Sequence, residues 1–242
     1  MPSIDAIATG IRTLLTDPDS FFREREDGLS IKGPLVVVTL VALVGSIATV
    51  VQNQHLVPLA EPVFREALNE SSENMTSAEI DDTVNLFVQV YLAASYAFAL
   101  IGPYVVWFLY GGVFHAISVV FDGDGSLSET MAAVGWGRVP AVFGAVVTVA
   151  VNYYNYEIRG VTLDQDISAE GAAGAFQQLQ PPTEVLLLNT ALGIVFTLWA
   201  AYIWVYGLQY ARDLSRRGAI YTVAVPVAVS LLLSLQTLTS AL

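Results

Sequence analysis

VNLFVQVYLAASYAFALIGPYVVWFLYGGVFHAISVVF, from Val84 to Phe121, runs about 38 residues without Asp, Glu, Lys or Arg. A hydrocarbon core about 30 Å thick is crossed by roughly 20 apolar helical residues. The run is therefore long for one crossing and short for two. Basic residues near span ends stay on the cytoplasmic side, whereas acids carry little topological weight. With one crossing the chain has five spans. Arg12, Arg23, Arg25 and Lys32 before the first span then share a face with Arg212, Arg216 and Arg217 before the last. With two crossings that bias disappears. The reading is one long helix, kinked at Pro103, where proline removes a backbone donor and crowds the preceding turn.

Working outward, 55% of the 242 residues are hydrophobic and the mean hydropathy is +0.59. This points to an all-α, polytopic integral membrane protein with five transmembrane helices, its N-terminus cytoplasmic and its C-terminus outside. The chain carries 22 acids against 10 bases, a net charge of −12. Such acidity with a single lysine is expected of a protein working at high salt, where charge keeps surfaces hydrated. It also argues against a nucleic-acid partner, because the sequence shows no basic patch to neutralise phosphates. Cysteine is absent, which removes disulfides, thiol catalysis and thiolate metal sites. The first apolar run begins only at Pro34 and lacks a small-residue cleavage pattern, so it is expected to remain as an anchor.

Residues 1–33 form an N-terminal cytoplasmic segment. Ile4, Ile7, Ile11, Leu14 and Leu15 recur at helical spacing, and Asp17-Pro18 starts a second helix. Phe21 and Phe22 beside Arg23 and Arg25 suit helices lying in the membrane interface; packing against other cytoplasmic loops fits them equally. Residues 34–242 form the membrane domain, with spans at about 34–52, 84–121, 131–154, 185–211 and 219–242. Gly33-Pro34 marks the first by the preference for proline in a first helical turn. Asn53–Asp82 is then an acidic outer loop, and Thr76-x-x-Glu79 is a capping box that starts the second helix near Ser77. The outer loop holds both Asn-x-Ser/Thr triplets, at Asn69 and Asn74, which are candidate glycosylation acceptors.

Ser126-Leu127-Ser128-Glu129 is a second capping box, placed after the glycine-rich turn Asp122-Gly123-Asp124-Gly125. In the third span Ala133, Gly137, Ala141 and Ala145 form a small-residue stripe that admits another helix closely, with a kink expected at Pro140. Trp199, Tyr202, Trp204 and Tyr206 are expected as interfacial aromatics of the fourth span. Pro226 lies in the fifth.

These pieces in order resemble the Yip (Ypt-interacting protein) domain family of five-span membrane proteins, in a haloarchaeal-type member. The resemblance rests on Leu14-Leu15-Thr16-Asp17-Pro18-Asp19-Ser20-Phe21-Phe22, Gly33-Pro34-Leu35, His115 with Gly123-Asp124-Gly125-Ser126, and Gly135-Trp136-Gly137-Arg138-Val139-Pro140. It continues through Leu214-Ser215-Arg216-Arg217-Gly218-Ala219-Ile220 and Pro226. It implies a membrane protein of the type whose eukaryotic members bind small GTPases and organise vesicle traffic and membrane shape. Ser30-Ile31-Lys32 stand where those members have Asp-Leu-Tyr before Gly-Pro, so GTPase recognition is not carried over.

Little points to chemistry. His55 and His115 fall at opposite ends of spans and cannot share a metal. The Asp122–Ser126 turn departs from a calcium loop, which needs Gly at its sixth position and Glu at its twelfth, where Leu127 and Ala133 stand. Nucleophile-elbow, zinc-protease and phosphate-loop motifs are absent. Arg138 is the one base within reach of a span and can extend to the inner surface; Asn152, Asn189, Gln209 and Gln236 suit bridges between helices. The expectation is a multi-pass plasma-membrane scaffold or adaptor without enzymatic activity or cofactor. Its expected partners are membrane lipid and an unidentified membrane or cytoplasmic protein, with a homo-oligomer also open. The alternative is a transporter or channel for a neutral or apolar solute.

Overall fold

The computed structural model describes residues 3–25, 28–71, 75–159 and 181–241, and every regular element among them is helical. Two short helices, α1 (Ile4–Thr16) and α2 (Pro18–Arg23), precede α3 (Lys32–Ser71) and α4 (Ser77–Val119). Next come α5 (Leu127–Trp136) and α6 (Val139–Tyr153), the latter prolonged by one π-helical turn over Tyr154–Ile158. The chain closes with α7 (Thr183–Ala211) and α8 (Arg216–Ala241). Helices α3, α4, α7 and α8 are long and apolar enough to cross a membrane, and α5 with α6 supply a fifth if that bent pair is one span.

The deciding stretch, up to Val119, lies in one helix, not two, and α4 runs through Pro103 without ending. It starts where the sequence indicates. Thr76 Oγ1 accepts the Glu79 amide at 3.3 Å, and Glu79 Oε2 accepts the Thr76 amide at 2.8 Å. These bonds satisfy donors that the first helical turn leaves orphaned.

Two boundaries differ from expectation. Helix α3 does not end near Gln52 but continues to Ser71, so most of the expected outer loop is helix. Pro58 and Pro62 lie inside it, and an interior proline removes a backbone hydrogen bond. The neighbouring helix compensates: Phe64 stacks on Phe87 at 4.1 Å, and Arg65 bridges Glu61 at 3.3 Å and Asp81 of α4. The second difference is the break in the third span. It falls at Gly137-Arg138 with a bend of 43°, not at Pro140, which occupies the first turn of α6. Proline fits a first turn because its missing N–H has no helical acceptor there.

Packing closes a ring in which α4 touches α3, α3 touches α6, α6 touches α7, α7 touches α8, and α8 returns to α4. Helix α5 lies inside one end of that ring against α3, α4 and α7. Its residues Thr130 to Gly135 are all buried. We term this the turn end, because the Asp122–Ser126 and Arg212–Ser215 turns meet there. The α3–α4 connection marks the hairpin end. Along the ring's outside the side chains are apolar and open, as with Phe98 at 79% and Val120 at 77% exposure. A lipid-facing surface requires this, since hydrocarbon solvates apolar side chains as well as a protein core does.

Candidate functional site

The turn end concentrates the features that the sequence singles out. Backbones approach closely around α5 because its glycines face large rings. A Cβ on Gly33 would collide with the Trp136 ring, one on Gly135 with Pro34 and Trp107, and one on Gly137 with Trp204. Two indoles then dock on α5 from opposite helices: Trp107 Nε1 donates to Met131 O and Trp204 Nε1 to Val134 O, each at 2.8 Å. The second bond follows from the helix break. The Arg138 amide, which an unbroken helix would aim at Val134 O, turns to Gly135 O at 3.0 Å, and Trp204 fills the vacancy. Trp204 is 2% exposed and stacks on Tyr110 at 5.1 Å. It is a core residue, which corrects its expected role as an interfacial anchor. Trp199, by contrast, is partly buried and donates to Leu15 O at 3.1 Å.

The N-terminal helices pack onto this end. Phe21 and Phe22 are buried, Phe21 edge-on to Trp136 at 5.2 Å and Phe22 against Gly207 of α7. The two rings thus take the packed alternative, while Ile7 and Ile11 on α1 remain exposed. Tyr210 of α7 donates to Asp19 Oδ1 at 2.8 Å, and the Arg25 guanidinium lies 3.9 Å over the Phe21 ring. At the junction of α1 and α2, Asp17 caps α2 by accepting the Ser20 amide at 3.3 Å. Its carboxyl is held below the usual range by the Ser20 hydroxyl and then by the Ser20 amide.

The glycine-rich turn is built around a side chain that the sequence does not advertise. Arg212 is 2% exposed. Its Nε donates to Ser118 Oγ at 2.9 Å, Nη2 to Gly123 O at 2.7 Å and Nη1 to Gly125 O. The Asp124 amide donates back to Arg212 O at 2.9 Å. Gly125 has φ +98° and faces Ala211 O, so only glycine fits there. Ser126 and Glu129 complete the second capping box: Ser126 Oγ accepts the Glu129 amide at 3.2 Å, and Glu129 Oε2 accepts the Ser126 amide at 2.8 Å. Asp124 Oδ1 accepts the Gly125 amide at 2.8 Å. The Asp124 and Glu129 carboxylates are thereby occupied within the turn.

His115 joins the same network. The Thr130 hydroxyl gives its proton to Ser126 O at 3.1 Å, so His115 Nδ1, 3.1 Å from Thr130 Oγ1, is the donor. Arg216 lies 5.6 Å over the Tyr206 ring and donates to its hydroxyl at 3.3 Å, Arg217 is exposed, and Gly218 packs on Phe121. Pro226 lies within α8, its carbonyl accepting from Ser230 at 3.0 Å. Pro140 is buried and Arg138 partly so.

The hairpin end holds the rest. Asn69 is exposed on the last turn of α3, and Asn74 lies outside the described residues. His55 stacks on Tyr156 at 5.5 Å and stands 3.6 Å from Glu157. Asn152 Nδ2 donates to Ala48 O at 3.2 Å, the kind of helix bridge expected of it. The turn-end knot escapes a sequence reading because Arg212 looks like one more basic residue of a loop. The available signal was Gly207 amid large side chains.

No solved structure matches the chain. An uncharacterized protein of Methanocaldococcus jannaschii, MJ0794, is 26% identical over 145 residues, which cover 60% of this chain and 89% of that protein. The Yip1 domain model matches residues 12–237, from α1 through nearly all of α8, and on that match the chain belongs to the Yip1 domain family.

Proposed function

We propose that the protein is a non-enzymatic scaffold or adaptor of the plasma membrane that binds partner proteins or organises lipid. The observation that carries this reading is the filled turn end. Ala132, Ala133 and Val134 of α5 are wholly buried inside the ring, with Trp107 and Trp204 docked on them. Such packing leaves a solute no passage there, which weighs against the transporter alternative. At the glycine-rich turn Arg212, Ser118, Ser126, Glu129, Thr130 and His115 bond to one another or to the turn's backbone, as in a part built to hold shape. What remains for recognition is the outward face of α1 and α2, where Asp5, Thr9, Thr13, Glu24 and Arg25 line an open cleft.

Crosslinking in native membranes followed by mass spectrometry tests the reading: a scaffold yields a reproducible partner, either another protein or a second copy. Saturable flux of a solute through reconstituted vesicles would overturn it.

The orientation goes with this proposal: five spans, N-terminus and turn end cytoplasmic, C-terminus outside. In support, Arg23, Arg25, Arg212 and Arg216 gather at the turn end. Single cysteines placed in this Cys-free chain at Ser71, Thr183, Ser128 or Ser215 can be probed on intact cells with an impermeant thiol reagent. The first two are expected to label. Ser128 and Ser215 positions should stay protected until cells are broken, and labelling of Ser215 from outside would reverse the topology.

A further inference from the structure

Arg138 stands at the bend between α5 and α6, and its guanidinium has no hydrogen bond or ion pair with any described residue. It differs from the other bases without a side-chain partner, Arg12, Lys32 and Arg217, in being partly buried while they are exposed. Gly137 beside it abuts Trp204 of α7, whose ring stacks on Tyr110 of α4, so the ionisable side chain that this packing brings to the bend is the Tyr110 hydroxyl. That hydroxyl offers no neutralising charge. Ser230 gives its proton to Pro226 O, so Tyr110 gives its own to Ser230, and the pair is satisfied without the arginine.

The result is five N–H donors and a full positive charge with no acceptor supplied by the described chain. A guanidinium cannot shed its proton to escape. An ionisable side chain at a membrane helix is costly unless a partner is found for it, and the described chain supplies none to this partly buried arginine. The planar fork of arginine suits two oxygens of one oxyanion better than a point cation would. A membrane helix ring is surrounded by phosphodiesters.

We propose that Arg138 is the cationic element of a binding site for a phosphate-class oxyanion at the α5–α6 bend, filled by either the headgroup of an anionic lipid or free phosphate. The site is independent of whether the protein is a scaffold, since occupancy requires no partner protein.

The test uses the purified full chain in neutral detergent, with two arms. Native mass spectrometry after addition of phosphatidylglycerol or phosphatidylcholine reads retained lipid, and thermal unfolding against inorganic phosphate, matched with chloride for ionic strength, reads free anion. One retained phosphatidylglycerol assigns a lipid headgroup, and saturable stabilisation by phosphate alone assigns the free ion. In either case Arg138→Met is expected to weaken binding about tenfold or more, the loss of a charge-assisted hydrogen-bonded contact. Removing an unpaired charge in favour of a similar apolar volume should leave the fold intact. Should Arg138→Met not fold, Arg138→Lys decides, because it keeps the charge and loses the fork: weaker binding supports the site, and unchanged affinity overturns it. Retention of neither probe by the wild type, or equal binding by Arg138→Met, also overturns it.

Discussion

Replacing Arg212 by alanine is the most direct way to ask what holds the turn end together. The substitution removes the donor set for Gly123 O, Gly125 O and Ser118 Oγ at once. A buried acceptor left without its donor costs about 1–3 kcal/mol. Gly125 is exposed and Gly123 partly so, and water therefore repays part of the loss at both carbonyls. Ser118 is fully buried but keeps its own donation to His115 O at 2.8 Å. The expected destabilisation is about 2–4 kcal/mol. Reversible unfolding in mixed micelles, followed by tryptophan fluorescence, reads it, with Trp107 and Trp204 both close by. Arg217→Ala, at an exposed site, serves as the reference and should stay within about 0.5 kcal/mol of wild type. Arg212→Lys can satisfy fewer acceptors and should fall between. Gly125→Ala attacks the same turn through its backbone, so combining it with Arg212→Ala should cost less than the two separate losses. If Arg212→Ala unfolds together with Arg217→Ala, the arginine does not hold the turn, and the account of this end is wrong.

Other expectations follow from single contacts. Gly137→Leu drives a side chain into Trp204 and should cost about 1–3 kcal/mol by overpacking; unchanged melting in detergent would place that glycine against lipid. Trp204→Phe keeps most of the volume but strands Val134 O, for about 1–3 kcal/mol, whereas Trp199→Phe at a partly buried site should cost less. Ser126→Ala removes the α5 cap at about 1 kcal/mol, and a stabilised variant would reject the cap. Asp17 has a depressed carboxyl pKa in the folded chain, so its contribution is present above the unfolded pKa and is lost as pH falls through the folded one. Asp17→Asn should therefore flatten the acid limb of stability against pH; an unaltered limb would mean the Ser20 bonds are not formed.

Where a local rule decides, the sequence was a sufficient guide. Thr76-x-x-Glu79 and Ser126-x-x-Glu129 start helices because each cap acts within one turn of chain. The charge-free run from Val84 lies in one helix, as the placement of the basic residues implied. The misreadings share a different cause. Asn53–Ser71 looks like a loop by its acids and two prolines, yet α4 lies beside it and supplies Phe87 and Asp81 as partners. Pro140 was legible as a breaker, but the bend comes three residues earlier because proline tolerates a first turn and not the one after it. Trp204 and Arg212 were assigned by composition to an interface and to a loop. Their roles depend on Val134 O, Gly123 O and Gly125 O, acceptors that are distant in sequence and that no periodicity reveals.

Those separations set an order in time. Gly125 O waits for Arg212, 87 residues downstream, and Val134 O waits for Trp204, 70 residues downstream. At about 5–20 residues synthesised per second, the turn and the plug helix exist for roughly 4–17 s before their donors emerge. During that interval α5 has no indole from α7, and its last carbonyls must be served by water or by another protein. The turn end can therefore close only after α7 has been made, which makes the nascent chain's first six helices a distinct assembly stage.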